Sequence, residues 1–371
     1  AQTSQLNVPP MDNAQMDGYA VRTADCSSGT TVLQVSQRIP AGHVGQALQP
    51  GTAARIFTGA MIPEGADAVV MQEQCEPGKT SAGEVVTVRY VPQAGEWIRR
   101  SGEDIRAGDV ILKAGTRLRA QELGLAASVG LASLPVTCRL RVAVFFAGDE
   151  LAMPGEPLKP GAIYNSNRFT LRGLLENLGC ACTDYGIVHD TLAATRDTLR
   201  RAALSHDLII SSGGVSVGEE DHIKAAVEAE GRLNLWQIAV KPGKPLAFGE
   251  VNRQEQGGTA FFLGLPGNPV SSLVTFLLFV RPFILRMQGV PDVMPQSFPL
   301  QADFTWNKPD KRNEFLRAKI NKEGKLVLFA NQGAAVLTST VWGDGLIDNP
   351  PGQTIAPGDT VRYIPFNNLL Y

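Results

Sequence analysis

The chain has 371 residues, 44% of them hydrophobic and 19% charged, with a mean hydropathy of -0.03. These values exclude a disordered acidic or basic chain, and the length allows about two to four folded domains. Thirty-four Lys and Arg against 36 Asp and Glu leave a net charge of -2, so no global positive field draws the protein to nucleic acid or an anionic membrane, and neither is expected as a partner.

The N-terminus, Ala1-Gln2-Thr3-Ser4, has no basic region followed by an apolar core and no initiating Met, so removal of an upstream segment is expected. From Thr30 to Leu112 short β-rich runs such as Thr31 to Val35, Ala68 to Gln72 and Val85 to Tyr90 are separated by Gly and Pro turns, the pattern of a small all-β module. Between Arg117 and Leu131 the spacing of Ala, Leu and Glu predicts a helical connector that stops at Gly130. From Leu140 strands and helices alternate: RVAVFF, a helix from about Asn167 to Leu178, TDYGIV, a helix from about Leu192 to Leu204, then DLIISSGG. Such alternation implies parallel βαβ units with helices on both faces of a sheet and ligands at the strand C-termini. The longest apolar stretch, Val270 to Val280, is interrupted by Ser271, Ser272 and Thr275; it falls short of the ~20 residues of a membrane span and reads as a buried helix. After Pro291 the runs FLRAKI, LVLFA and DTVRYIP suggest a second small β barrel. The expected division is a β module over residues 1–108, a helical linker over 109–139, an α/β domain over 140–290 and a β barrel over 291–371. Five scattered cysteines, with Cys180 and Cys182 the one close pair, read as reduced thiols in a cytoplasm.

The chemistry is expected in the loops after the α/β strands. In SSGGVSVGEEDH, Ser211, Ser212, Gly213 and Gly214 can turn backbone N–H groups toward a phosphate, although an ordinary Gly-Gly turn gives the same pattern. A carboxylate repels a phosphate unless a cation lies between them, so Asp221 beside this loop suggests a bridging Mg²⁺. Glu150 of the AGDEL loop and Asp190 after Ile187-Val188-His189 are further acids at strand ends, with a helix N-cap as the plainer reading of Asp190. In KPGKP the prolines hold Lys241 and Lys244 in a rigid turn suited to an oxyanion, or merely solvated. The segment Leu265-Pro266-Gly267-Asn268-Pro269 shapes a pocket wall or stops a strand. In the N-terminal module, Met11 to Ala20 and Ile98 to Asp104 mix acids, an Asn and an Arg pair, clusters that often form only surface ion pairs.

Taken together, PPMDNAQMDGYAVR, RIFTGAMIPEGADAVVMQE, IRRSGEDI, AGDEL, YNSN, SSGGVSVGEEDH, KPGKP and GLPGNPVS resemble the molybdopterin molybdenumtransferase family, which includes the C-terminal domain of gephyrin. The resemblance runs from about Pro9 to Ser271. It implies a multidomain α/β plus β fold with a central three-layer molybdopterin-binding domain on a parallel-dominated sheet. It also implies a cytoplasmic, elongated homodimer that inserts molybdate into adenylated molybdopterin as AMP leaves, with Mg²⁺ as cofactor. Molybdopterin adenylyltransferase and apo molybdoenzymes would be transient partners. The family's catalytic positions fall on Asp17, Thr58, Arg99, Asp104, Glu150, Asp190 and Asp221. Its substrate-binding positions fall on Ser211, Ser212, Gly213, Gly214, Ser216, Lys241, Lys244, Pro266 and Pro269. Asp190 and Asp221 would hold Mg²⁺; Lys241, Lys244 and Arg99 would attract molybdate. Asp17, Thr58 and Asp104 would close the cleft from a partner subunit. Against the family pattern, the helical segment before the first β module is expected to be absent, Gln237 stands where some members have Lys, and Ala334 where Ser is common. The alternatives are the related molybdopterin adenylyltransferase, usually a single compact domain, and a noncatalytic molybdopterin-binding scaffold, which would not need the metal-binding acids.

Overall fold

A computed structural model describes residues 1–215, 222–253 and 257–370, in two compact units, Ala1–Pro135 and Val136–Tyr371. The first unit is built on a six-stranded sheet in the order Ala68–Met71, Gly18–Val21, Thr52–Ile56, Thr31–Ile39, Gly83–Val88, Cys75–Thr80. Thr31–Ile39 runs parallel to Thr52–Ile56 and the other pairs are antiparallel. Alternation along the strands sends Tyr19, Val21 and Val70 into one apolar layer and Ala20, Ile56 and Val69 into the other. Gly18 is required here, because a Cβ would lie 2.0 Å from the Val70 carbonyl oxygen of the adjacent strand. Two ribbons complete the unit: Asn13–Ala14 pairs with Ile98–Arg99, and Gln2–Thr3 with Val110–Leu112. Strand pairing therefore ties the first residues to the segment just after residue 108. The helix Ala120–Ser128 starts where the Glu122 carboxylate accepts the Arg119 backbone N–H at 2.8 Å, and it ends before Gly130, whose φ is 79°.

The second unit carries a six-stranded sheet ordered Ala181–Val188, Arg141–Ala147, Leu208–Ser212, Thr259–Leu265, Pro245–Asn252, Gly231–Gln237. The first four strands are parallel, and the last two add an antiparallel edge that strand and helix alternation does not foretell. Val142, Val144 and Phe146 pack under helices Ser166–Asn177 and Pro269–Thr275. Ala143 and Phe145 pack under Leu192–Ser205 and His222–Glu230 on the other face. Three layers result, as expected of a sheet buried on both sides.

The helical run Pro269–Met287 is 19 residues, longer than the expected stretch, and by length and composition alone it could cross a membrane. Its Val270, Val274, Phe276, Leu277, Val280 and Ile284 nevertheless lie in the core, which makes it a core helix. Past it, Asn313–Ile320, Gly345–Asn349, Thr360–Pro365 and Phe298–Gln301 form an antiparallel sheet, with Leu326–Leu328 on the far edge of Asn313–Ile320. The Asp303 N–H donates to the Leu326 oxygen at 2.8 Å, and Ala302 bridges Leu326, which curls the sheet into a small barrel around Leu316, Ala318, Ile347 and Tyr363.

Candidate active site

Parallel strands end on the same side of a sheet, so the loops after Arg141–Ala147, Leu208–Ser212 and Thr259–Leu265 meet. They enclose a cleft of about 660 Å³, lined among others by Glu150, Asn165, Asn167, Asp190, Gly213 and Gly214. The floor is a sharp turn: Gly213 and Gly214 have φ of 87° and 66°, and a Cβ on Gly213 would stand 2.2 Å from the Ala147 carbonyl oxygen. Only glycine tolerates both the left-handed backbone and that approach.

The walls are tied together through a buried amide. Asn167 Nδ2 donates to Ser212 Oγ at 2.9 Å and to the Gly267 carbonyl at 2.7 Å, while Ser212 Oγ donates to the Pro266 carbonyl at 3.2 Å. One side chain thus holds the Ser212 strand end, the Pro266-Gly267 loop and the first turn of a helix in a single arrangement. Asn165 Oδ1 caps that helix by accepting the Arg168 N–H. Asn165 Nδ2 and Asn167 Oδ1 are buried without a hydrogen-bond partner, a state that normally costs free energy and here leaves a donor and an acceptor for a ligand.

Of the residues singled out from the sequence, Glu150, Asp190, Ser212, Gly213, Gly214, Pro266 and Pro269 all line the cleft. Asp190 is not the helix N-cap; Thr191 Oγ1 takes that role by accepting the Ala194 N–H. Ser211 is fully buried and its hydroxyl has no partner, Ser211 and Ser212 belong to the strand, and the Gly213 N–H is taken by the Leu265 carbonyl. The anion-facing N–H groups are therefore fewer than the four expected. Ser216 and Asp221 lie outside the described residues. Lys244 is exposed beside Pro245, which does line the cleft. Gln237 pairs with Pro245 at the sheet edge, and the Ala334 carbonyl accepts the Val270 N–H, so the missing hydroxyl at 334 leaves the loop's backbone anchor intact.

Lys241 is placed elsewhere, at a smaller cavity of about 240 Å³ shared with Pro242, Arg317 and Gly333. Its ammonium sits 3.1 Å from Glu314 and 3.3 Å from Asp310. Burial by itself would raise the Glu314 carboxyl, but bonds from Trp306, the Asp310 N–H and Lys241 hold it below the usual range. Arg317, which sequence reasoning missed, is fully buried and donates to Ser339 Oγ, the Phe315 carbonyl and the Gly333 carbonyl. Among the described residues no carboxylate lies within ion-pair distance of it. Burial pulls its pKa down to about 10, which leaves it charged at neutral pH. The one available signal was an Arg inside the apolar run FLRAKI. One loop serves both cavities, since Gly333 lines the smaller and Ala335 the larger.

In the first unit the Thr58 N–H and hydroxyl both donate to Asp17 Oδ1, at 2.8 and 2.7 Å, and these bonds lower the Asp17 pKa. Arg99 donates to Asn13 at 3.3 Å, and its neighbour Arg100 pairs with Asp12 at 2.6 Å. Asp104 is exposed, with its backbone N–H bound to the Val8 carbonyl. Asp17 with Thr58 and Arg99 with Asn13 are thus brought into pairs.

A three-layer α/β domain, preceded in the chain by a β module and followed by a β barrel, defines the class. Residues 1–130 match the MoeA N-terminal region (domain I and II), 143–286 a probable molybdopterin binding domain, and 299–366 the MoeA C-terminal region (domain IV). The chain is 42% identical to the molybdopterin molybdenumtransferase of Haemophilus influenzae, over 99% of this chain and 90% of that one. It is 39% identical to molybdopterin molybdenumtransferase 2 of Mycobacterium tuberculosis, over 93% and 86%. The crystal structure of the molybdopterin biosynthesis moeA protein from Pyrococcus horikoshii OT3 superposes with a TM-score of 0.83 at 26% identity, covering 98% of this chain and 90% of that one. The chain belongs to the molybdopterin molybdenumtransferase family.

Proposed function

We propose that this protein is an enzyme of molybdenum cofactor biosynthesis that inserts molybdenum from molybdate into adenylated molybdopterin with release of AMP. Family membership carries the transferase reading. The observation that carries the site is the cleft itself, in which the Glu150 and Asp190 carboxylates share a lining with the Gly213-Gly214 turn while, among the described residues, no Lys or Arg lines it. Phosphate oxygens in such a cleft need a cation between them and the acids.

Mg²⁺ fits this donor set. Among the described residues no group of three or more His, Cys, Asp or Glu side chains could hold a metal, and Mg²⁺ commonly takes one or two carboxylates, with water and phosphate oxygens for the rest. Asp190, with Asp221, would hold it, and when bound it would neutralise charge on the phosphoanhydride. The chain's own residues do the remainder. The Gly213-Gly214 turn lets backbone approach the phosphate closely, Asn167 fixes the turn against Pro266 and Gly267, and Asn165 offers a buried N–H to the ligand. In the reaction a water is consumed at the phosphoanhydride, AMP leaves and the pterin phosphate stays, while the two dithiolene sulfurs bind molybdenum and their two thiol protons carry one molybdate oxygen away as water.

Molybdate, a dianion, suits the smaller cavity, whose lining cations Lys241 and Arg317 outnumber its one lining acid, Glu314, by one charge. Glu314 and Asp310 orient Lys241 there. The proposal extends to a homodimer in which the partner's β module closes the cleft with Asp17, Thr58 and Asp104; the ionised Asp17 carboxylate, held in place by Thr58, is the group suited to that role. Five free cysteines suit a reducing cytoplasm.

AMP release from adenylated molybdopterin, followed chromatographically with Mg²⁺ and with or without molybdate, tests the reaction. Release that depends on molybdate and is lost in Asp190→Ala is expected; tight binding without release would replace the enzyme with a carrier. Mixing Asp17→Ala and Asp221→Ala subunits tests the shared site: some activity should return, and none would sink the dimeric arrangement.

A further inference from the structure

The sheet of the first unit carries a groove of about 560 Å³, lined among others by Tyr19, Arg38, Arg55, Lys79 and Glu84. Its centre is a repulsive pair. Arg38 and Arg55 face each other directly across neighbouring strands, and Tyr19 is the cross-strand neighbour of Arg55 on the other side. Both guanidinium groups lie 4.6 Å from the centre of the Phe57 ring, and Arg55 is 5.3 Å from the Tyr19 ring.

Like charges placed directly across strands destabilise a sheet unless something compensates them. The hydrogen-bond partners inside the described residues are neutral, Arg55 donating to the Gly18 carbonyl at 2.8 Å and to Gln72 Oε1 at 2.7 Å, while the Asp17 carboxylate feels the Arg55 charge only from beyond ion-pair distance. No carboxylate among the described residues lies within ion-pair distance of Arg38, Arg55 or Lys79. Glu84 faces Lys79 across its strand pair, and Asp17 is bonded to Thr58, which leaves the groove with three cations and one lining acid. The rings add stacking surface that holds the guanidinium planes in place without neutralising them.

We propose that this groove is an anion site that takes the phosphate of a phosphomonoester or diphosphate between Arg38 and Arg55. Planar guanidinium groups with several fixed N–H donors match phosphate oxygens, and Lys79 adds a point charge at the rim. The site lies wholly within the N-terminal module and needs no molybdate insertion in order to bind.

Hydrogen–deuterium exchange on the full chain, titrated separately with inorganic phosphate, AMP and adenosine, tests it. Phosphate and AMP should slow exchange in Thr31–Ile39 and Thr52–Ile56, and adenosine should not. Equal protection by phosphate and AMP would assign the phosphate group alone as the determinant; stronger protection by AMP would assign a nucleotide. Arg38→Gln, at an exposed position, should weaken the effect by roughly tenfold or more, the worth of a charge-assisted hydrogen bond. Absence of protection in these strands, protection confined to residues 146–151 and 212–215, equal protection by adenosine, or an Arg38→Gln chain that binds as before would each overturn the proposal.

Discussion

The cleft of the α/β domain and the Asp17 cluster of the β module are both rich in polar groups, yet they are built in opposite ways. The cleft is held by buried backbone and amide groups: Asn167 is 8% exposed, Ser212 is 2% exposed, and Gly213 has no room for a side chain. The β-module cluster is made of exposed and half-buried side chains that pair at the water interface, as Asp12 does with Arg100 and Asp17 with Thr58. A buried network keeps its geometry before any ligand arrives, whereas exposed pairs are individually weak and gain strength only when solvent is excluded. The contrast predicts where a substitution harms folding and where it harms chemistry alone.

The largest difference should appear between two glycines. Gly213→Ala forces a left-handed residue against the Ala147 carbonyl and is expected to destabilise by about 2 to 4 kcal/mol and to abolish AMP release. Gly59→Ala, in the loop beside Thr58, has φ of 80° but open space around its Cα, so denaturant unfolding should show a loss of only about 1 kcal/mol. Equal losses at the two positions would break the contrast. Asn167→Ala comes next. It removes two hydrogen bonds that join a strand end, a loop and a helix and should cost about 1 to 3 kcal/mol, with a raised KM for the pterin substrate.

The smallest structural effect is expected at Thr58→Val. Its melting temperature should stay close to that of the unaltered chain, because Thr58 is exposed and its bond to Asp17 is open to solvent. The bonds from the Thr58 N–H and hydroxyl lower the Asp17 pKa, so the carboxylate is ionised above its folded pKa and that state is lost as pH falls through it. Removing the hydroxyl raises this pKa toward its ordinary value. The acid limb of the pH–activity profile should therefore move to higher pH, and an unmoved limb would remove Asp17 from the chemistry.

Several of these features were readable from local pattern. The alternation after Leu140 implied a sheet with helices on both faces, and the Gly-Gly pair after DLIISS marked the turn that now floors the cleft. The capped helix before Gly130 was likewise visible, because caps, turns and periodicity act over a few residues. Asn165 and Asn167 stood within the quoted YNSN motif, but nothing in the motif says that one amide reaches Ser212 and Gly267.

Those contacts span 45 and 100 positions, and the one between Lys241 and Glu314 spans 73. No periodicity operates at that range. The amino-acid sequence on its own determined the first parallel strands and helices after Leu140, the helix before Gly130, the family, and the Gly-Gly turn with Glu150 and Asp190 near strand ends, because each depends on neighbours within a few residues or on side-chain chemistry alone. Only the tertiary structure decided that Thr191 rather than Asp190 caps its helix, that Lys241 leaves the cleft for the Arg317 cavity, and that Arg38 meets Arg55, because sheet order and loop packing select which distant groups touch.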